Sequence, residues 1–516
     1  MPQRVTLDAM IPREDFARES NQVAVNLFSD FPISHLDQNS PYIKLIRKPD
    51  FQRETNHWTP EQLATFIASF VDAEVIPSLI LWHSPTYIFV IDGGHRISAL
   101  RAWVNDDYGD GPISFSFYNG EIPNEQKKIA SRARSLIEQR VGRFSKLRDM
   151  AAASAAPEPI RRRATVLLTR ALALQWIQGN AAAAETSFFK INSQGTPLDE
   201  TEEMLIKNRR KPIAIGARAI LRSGSGHKYW SSFSEENRGK IEDVSKNFYN
   251  YVFKPEAEKP VRTLDVPIGG SVAPIDALSL LIDFITIAGT RALHPKPISG
   301  YDDDLTGEAT VEVLHNSLKI IERITGNSPA SLGLHPAVYF YNERGRYSRF
   351  LFLGMISLIV EKIRNNDHVF FRDFAKARGP LEEFLIENKS LVTNILQNLS
   401  KKQRILKIKS LFDYLIDQFS QSYQVSPESA ITHIGLSVRI FDVKVGQSSP
   451  TITDETKSML FIRDALSKAI KCPLCSGLID PLKSMSYDHI QRVKDGGGGD
   501  LENVQMVHHY CNSIKN

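Results

Sequence analysis

The sequence predicts a multidomain α+β protein with a small N-terminal αβ domain, a mainly α-helical middle and a short zinc-stapled C-terminal module. Three observations carry that prediction. The chain has 516 residues, more than one hydrophobic core accommodates. From about residue 212 to 446 helical periodicity runs on with little chemistry attached. All three cysteines, Cys472, Cys475 and Cys511, fall inside the stretch 472–516. The expected divisions are an N-terminal arm at 1–40, an αβ domain with a helical insertion at 41–211, a helical middle at 212–446, a linker and helix at 447–471, and the C-terminal module at 472–516.

Composition sets the broad class. With 42% hydrophobic and 24% charged residues the chain reads as an ordinary soluble protein. A net charge of +4 is small for this length and neither supports nor excludes nucleic acid. The basic clusters Arg161–Arg163, Lys207–Lys211 and Lys401–Lys409 read as solvated helix faces. The start has no basic stretch followed by an apolar core, and the apolar runs Ala277–Ala288 and Phe350–Val360 are too short to span a bilayer. An odd number of clustered cysteines fits a reducing compartment and a metal site, so the expected location is cytoplasmic with no membrane partner.

In chain order, ordered structure is expected from Tyr42, with a strand-like run ended by Pro49. Thr59-Pro60-Glu61-Gln62 opens a helix with a capping box and proline at its first position, and Leu63, Phe66, Ile67 and Phe70 give it one buried face. Ser78–Trp82 and the continuous apolar run Tyr87–Ile91 read as strands. Asp92-Gly93-Gly94 then turns the chain sharply into a helix from His95 to Val104. A strand, a glycine turn and a helix N-terminus form an anion site, and Arg96 offers a planar fork for phosphate. The spacing is neither that of a Walker loop nor that of a Rossmann fingerprint, and a plain tight βα connection explains the glycines equally well. Ile122–Ala184 reads as helices, and Thr196-Pro197-Leu198-Asp199 as a second capping box entering a helix through Asn208.

Four ordered stretches carry a resemblance: F-Q-R-E at Phe51–Glu54, I-P-S-L-I-L at Ile76–Leu81, I-D-G-G-H-R at Ile91–Arg96 and F-F-K-I-N-S-Q-G-T-P-L at Phe188–Leu198. Together they resemble the ParB/sulfiredoxin-like domain of GmrSD-like and SspE-like restriction and phage-defence proteins. The resemblance implies a pocket for a nucleotide (NTP), lined by Asp92, Gly93, Gly94, His95 and Arg96 with Arg53 and Asn192, and associated with NTP binding or hydrolysis and with sensing modified DNA. The family's usual glutamines before the arginine are Gly94 and His95 here, which favours binding over hydrolysis. The turn contains no cysteine, so sulfiredoxin's thiol chemistry is excluded.

In the middle, helices are expected at Ala277–Ala288, Glu308–Thr325, Arg349–Asn365, Leu381–Leu399 and Lys407–Gln421, separated by Pro- and Gly-marked linkers. Asp302-Asp303-Asp304 reads as an acidic loop ahead of a helix, and His294, His335 and His368 as isolated residues. Gly446–Pro450 is a linker, and Asp454–Lys471 an amphipathic helix leading to Cys472.

Cys472-x-x-Cys475 followed by His508-x-x-Cys511 is a four-ligand set for tetrahedral zinc, and Asp488, His489 and Asn503 between the halves are groups a metal-dependent hydrolase needs. The ordered run C-x-x-C, D-H-I, G-G, N and C-N resembles the HNH endonuclease family, whose core is a ββα-metal fold. That resemblance implies His489 as the base that activates water, because imidazole accepts a proton near neutral pH. It implies Asp488 and Asn512 as ligands of a catalytic Mg2+ or Mn2+ ion, and Asn503 as the residue that holds the loop orienting His489. The family's fourth zinc ligand is usually cysteine; the matching position here is His508, with His509 adjacent. Arg492, Lys494 and Lys515 are candidate phosphate contacts near the glycine run Gly496–Gly499. The whole chain then resembles a restriction or anti-phage effector acting on double-stranded DNA, phage-derived or modified, under nucleotide control. Further copies of the chain or separate defence proteins are its expected partners. The competing reading is a nucleotide-responsive DNA-binding regulator whose zinc module grips without cutting.

Overall fold

The computed structural model describes residues 4–14, 28–50, 52, 55–150, 157–194, 200–223, 228–271, 274–290, 295–390, 399–436 and 451–515. Two compact units emerge: Met1–Arg209 with Ser225–Tyr229, and Arg210–Gly224 with Trp230–Asn516. Arg53, the capping box at 196–199, His294 and the linker at 446–450 lie outside the described residues.

The first unit is built on a mixed six-stranded sheet. Its strands are β1 (Arg13–Glu14), β2 (Asp30–Pro32), β3 (Ile46–Pro49), β4 (Leu79–His83), β5 (Ile88–Asp92) and β6 (Ala171–Ile177), in the order β1-β3-β5-β4-β6-β2. The run read as a strand before the glycine turn is β5, and Phe89, Val90 and Ile91 are buried as a two-faced apolar strand requires. β5 lies antiparallel to β4, with a register shift between Ile80 and Leu81, and parallel to β3. Helix Pro60–Val71 begins on the expected capping box: Thr59 Oγ1 accepts from the Gln62 amide at 3.3 Å and Gln62 Oε1 accepts from the Thr59 amide at 2.9 Å. Leu63, Ile67 and Phe70 are buried on that helix, whereas Phe66 is only half-buried and lines a cavity.

Two parts of this unit differ from expectation. The N-terminal residues do not stand apart as an arm, because Val5, Leu7, Met10 and Ile11 are core residues and β1 pairs in parallel with β3. Asp8 there accepts from Lys48 Nζ at 3.0 Å and pairs with Arg13, all three buried. The second difference is β6, in a region read as all helix. Its A-L-A-L-Q composition favours helix by intrinsic propensity. Pairing decides otherwise, since β6 is clamped between β4 in parallel and β2 antiparallel, and those ladders satisfy its backbone.

The second unit is mainly helical. Helices Pro274–Ala288, Glu308–Ile324 and Arg349–Arg364 fall where apolar periodicity placed them. The acidic loop caps a helix: Asp304 accepts from the Gly307 amide at 2.7 Å and from both the amide and hydroxyl of Thr310. Helix His368–Glu387 starts earlier than the expected Leu381 and runs through Pro380. The buried side chains Phe370, Phe371, Phe374, Leu381, Phe384 and Leu385 continue on both sides of the proline, so packing outweighs the lost hydrogen bond. On helix Lys401–Ser420, Lys409 is paired to Glu361 and Lys407 donates to the Ile434 carbonyl. At the end of the unit, β7 (Ser486–His489) and β8 (Val504–Val507) form an antiparallel pair followed by helix His509–Lys515, a ββα unit.

Candidate active site

Cys472 and Cys475 sit on a tight turn in which the Cys472 amide donates to the Gly477 carbonyl and the Ser476 amide to the Cys472 carbonyl, both at 2.8 Å. His508 and Cys511 come from the end of β8 and the first turn of the final helix. One donor atom from each of Cys472, Cys475, His508 and Cys511 lies within 4.8 Å of the other three, and all four residues are buried. The histidine tautomer fits a metal. His508 Nε2 lies 3.0 Å from the Leu478 carbonyl, which only accepts, so that nitrogen carries the proton and Nδ1 turns its lone pair toward Cys475 Sγ at 3.3 Å. Hydrogen bonding among the thiols draws Cys472 down into the thiolate range while holding the Cys475 thiol up. Burial in turn depresses His508 and keeps it neutral. Three crowded sulfurs and a neutral imidazole are the donor chemistry of a tetrahedral Cys3His zinc centre. His509 shows a half-buried ring outside this cluster, so His508 is the histidine that stands with the three cysteines.

The cluster is docked on the helical part of the same unit. Glu382 Oε2 accepts from the Leu478 amide at 2.6 Å, and Glu382 Oε1 accepts from Arg378 Nε at 2.8 Å and from the Tyr339 hydroxyl at 2.9 Å. Arg378 also donates to the carbonyls of Leu332 and Gly333, the latter at 2.7 Å. Both charged side chains are almost fully buried. A Cβ at Gly477 would collide with the Arg378 side chain, so glycine is required there for the close approach. Ser331 meets Ser484 at 3.1 Å, and the Tyr510 amide donates to the Ser331 carbonyl at 3.1 Å. Nothing in the local sequence around Arg378 and Glu382 marked them; their signal was an i, i+4 charge pair on an otherwise apolar helix face.

On β7, alternation separates the two candidate catalytic side chains. Asp488 is buried, and its neighbour His489 is half-buried on the opposite side of the strand. Asp488 Oδ2 accepts from Lys515 Nζ at 2.7 Å and from Gln505 Nε2 at 2.8 Å. Burial pulls this carboxyl up, but those two donors outweigh it and hold Asp488 below the ordinary aspartate value. Lys515 Nζ also donates to the His489 carbonyl at 2.6 Å. Asn512 Nδ2 donates to Ser486 Oγ at 3.0 Å and to the Tyr487 carbonyl at 3.2 Å, which brings its carboxamide onto the same strand. Asn503 clasps the glycine loop: its Nδ2 donates to the Gln491 and Gly498 carbonyls at 3.1 and 2.6 Å, and its Oδ1 accepts from the Gln491 amide at 2.7 Å. Those bonds fix the chain immediately after His489. A Cβ at Gly497 would overlap the Gln491 carbonyl, which explains one glycine of the run. A carboxylate and a carboxamide on neighbouring elements are hard oxygen donors suited to a divalent ion. Sequence reasoning missed Gln505, whose signal was its place opposite Asp488 in the strand pair.

In the first unit, Gly93 takes φ +93° as the residue before helix Gly94–Asn105, and a Cβ there would strike Leu79. A cavity of about 400 Å3 is lined by Trp58, Phe66, Gly94, His95 and Phe188 among others, with Asp92 and Arg96 at its wall. The Arg96 fork is not directed outward. It pairs with Asp92 and donates to the Pro77 and Ser78 carbonyls, so its guanidinium closes the turn from within. Asn192 lies on helix Ala181–Gln194 with its side chain outside the description.

Comparison with protein families agrees with this geometry. Residues 33–210 match the family described as the GmrSD restriction endonuclease N-terminal domain. Residues 472–516 match the HNH endonuclease family. The chain is a nuclease of restriction type. The ββα unit with its Cys3His cluster is thus the HNH domain, and strands β3 to β6, the glycine turn and the cavity fall within the GmrSD-type match. No curated protein and no solved structure gives a match to the chain. Among the described residues, no helix is long and apolar enough to cross a membrane.

Proposed function

We propose that this nuclease cuts DNA phosphodiester bonds at Asp488, His489 and Asn512, and that a nucleotide bound in the N-terminal cavity controls when it cuts. What supports the cutting site is Lys515 Nζ bonded to Asp488 Oδ2 and to the His489 carbonyl, with Asn512 bonded to Ser486 and Tyr487 of the same strand, on one ββα unit that carries the buried Cys3His cluster. His489 takes the proton of the attacking water, and Asn503 holds the loop that fixes its backbone. A Mg2+ or Mn2+ ion bound by Asp488 and Asn512 would supply charge neutralisation at the phosphate. Zinc at Cys472, Cys475, His508 and Cys511 holds the fold and takes no part in the chemistry.

For the cavity, the reading rests on a helix N-terminus behind a glycine turn, with aromatic walls at Trp58, Phe66 and Phe188 suited to a base. Internal use of Arg96 favours binding without hydrolysis, because the fork that would steady a transferring phosphoryl group is already engaged. The ParB/sulfiredoxin-like fold, the role in phage defence and the recognition of modified DNA belong to the same reading. The test is cleavage of unmodified and modified phage DNA with and without NTPs, alongside calorimetric NTP binding. Cutting that depends on both nucleotide and modification supports it. Cutting indifferent to both removes the control reading and leaves the nuclease.

A further inference from the structure

We infer that Lys515 couples DNA binding to ion binding: its ammonium competes with the divalent ion for Asp488 until a DNA phosphate draws it away. The inference rests on the assignment of Asp488 as an ion ligand. Lys515 follows Asn512 by three residues on the final helix, so both side chains lie on one helix face. Its Nζ sits 2.7 Å from Asp488 Oδ2 and 2.6 Å from the His489 carbonyl, with the Ile490 carbonyl at 3.4 Å. The three donors of one ammonium are thus aimed at the segment 488–490 that forms the cutting site. The Lys515 side chain is 21% exposed against 7% for Asp488, so the lysine is the partner that solvent, or a phosphate, reaches.

Two cations on one carboxylate repel one another, and at a partly buried site that repulsion is not screened away. Without DNA, Lys515 therefore weakens the ion site. A backbone phosphate beside Lys515 offers a second anion, relieves the repulsion and leaves Asp488 to the ion. By linkage the ion strengthens DNA binding by the same factor. The consequence is a nuclease whose ion site is completed by its substrate. Gln505 keeps Asp488 Oδ2 hydrogen-bonded when the lysine leaves, so the carboxylate stays oriented.

The test uses full-length, zinc-loaded protein carrying His489→Ala, so that DNA stays intact, and reads Mn2+ binding by electron paramagnetic resonance with and without a DNA duplex. The duplex is expected to tighten Mn2+ binding by about tenfold. Lys515→Met is expected to tighten it by about tenfold without DNA and to abolish the further effect of the duplex, while Lys515→Arg retains the coupling. Mn2+ affinity that is unchanged or weaker in Lys515→Met overturns the proposal. Asp488→Asn separates the two layers: loss of Mn2+ binding upholds the ion assignment on its own, and unaltered binding overturns both.

Discussion

The Asp92–Arg96 turn and the Asp488–Lys515 pair each set an acidic residue near the end of a strand against a cation, four residues away in the first and 27 in the second. Their structures assign the cations opposite work. Arg96 is turned inward onto Asp92 and two carbonyls, so it shapes the wall of a cavity instead of reaching into it. Lys515 bridges a carboxylate to the backbone beside His489 while keeping a face to solvent. Charge near a glycine turn therefore identifies a site but not the role of the charge; the exposure left to the cation, 12% for the Arg96 side chain and 21% for that of Lys515, separates the two.

The largest expected effect is at the cutting end, where His489→Ala should lower cleavage by about a thousandfold with folding unchanged, measured as plasmid nicking beside circular dichroism. Next is the staple: Cys511→Ser should lose bound zinc by elemental analysis, and chelation of the wild type should expose the ββα unit to proteolysis. Arg378→Met follows, because it leaves Glu382 buried and unpaired; a loss of about 3–5 kcal/mol is expected in denaturant unfolding. Arg96→Ala should cost about 1 kcal/mol in stability of the N-terminal unit, as part-buried acceptors lose their donor. Loss of NTP affinity with stability untouched would show instead that the fork reaches the ligand. The smallest effect is on pH. The Asp488 carboxyl is depressed in the folded protein, so its contribution to stability is present above the ordinary aspartate value and drains away as pH falls through the lower folded value. Lys515→Met should flatten that acid limb of the unfolding curve.

What could be read in the sequence follows from where the determinants lie. The capping box at Thr59, the apolar run of β5 and the ligand spacing from Cys472 to Cys511 are local patterns, and the structure forms each of them. β6 escaped because its residues favour helix and only its neighbours β4 and β2 make it a strand. The N-terminal segment escaped because β1 has two residues, too few for a period to show. Arg378 and Glu382 escaped for a related reason. They lie far from the cysteines in the chain, and their function as the seat of the Cys472–Cys475 turn exists only once Leu478 is brought against them.

We propose that the ββα unit cuts and that His489 drives the cut. This is tested most directly by incubating supercoiled plasmid and phage DNA with Mg2+ or Mn2+, with and without NTPs, using wild type beside His489→Ala. Nicked or linear products are expected from the wild type on at least one of these DNAs, and intact DNA from the variant. Equal cutting by both proteins, or none by either under every condition, would contradict it.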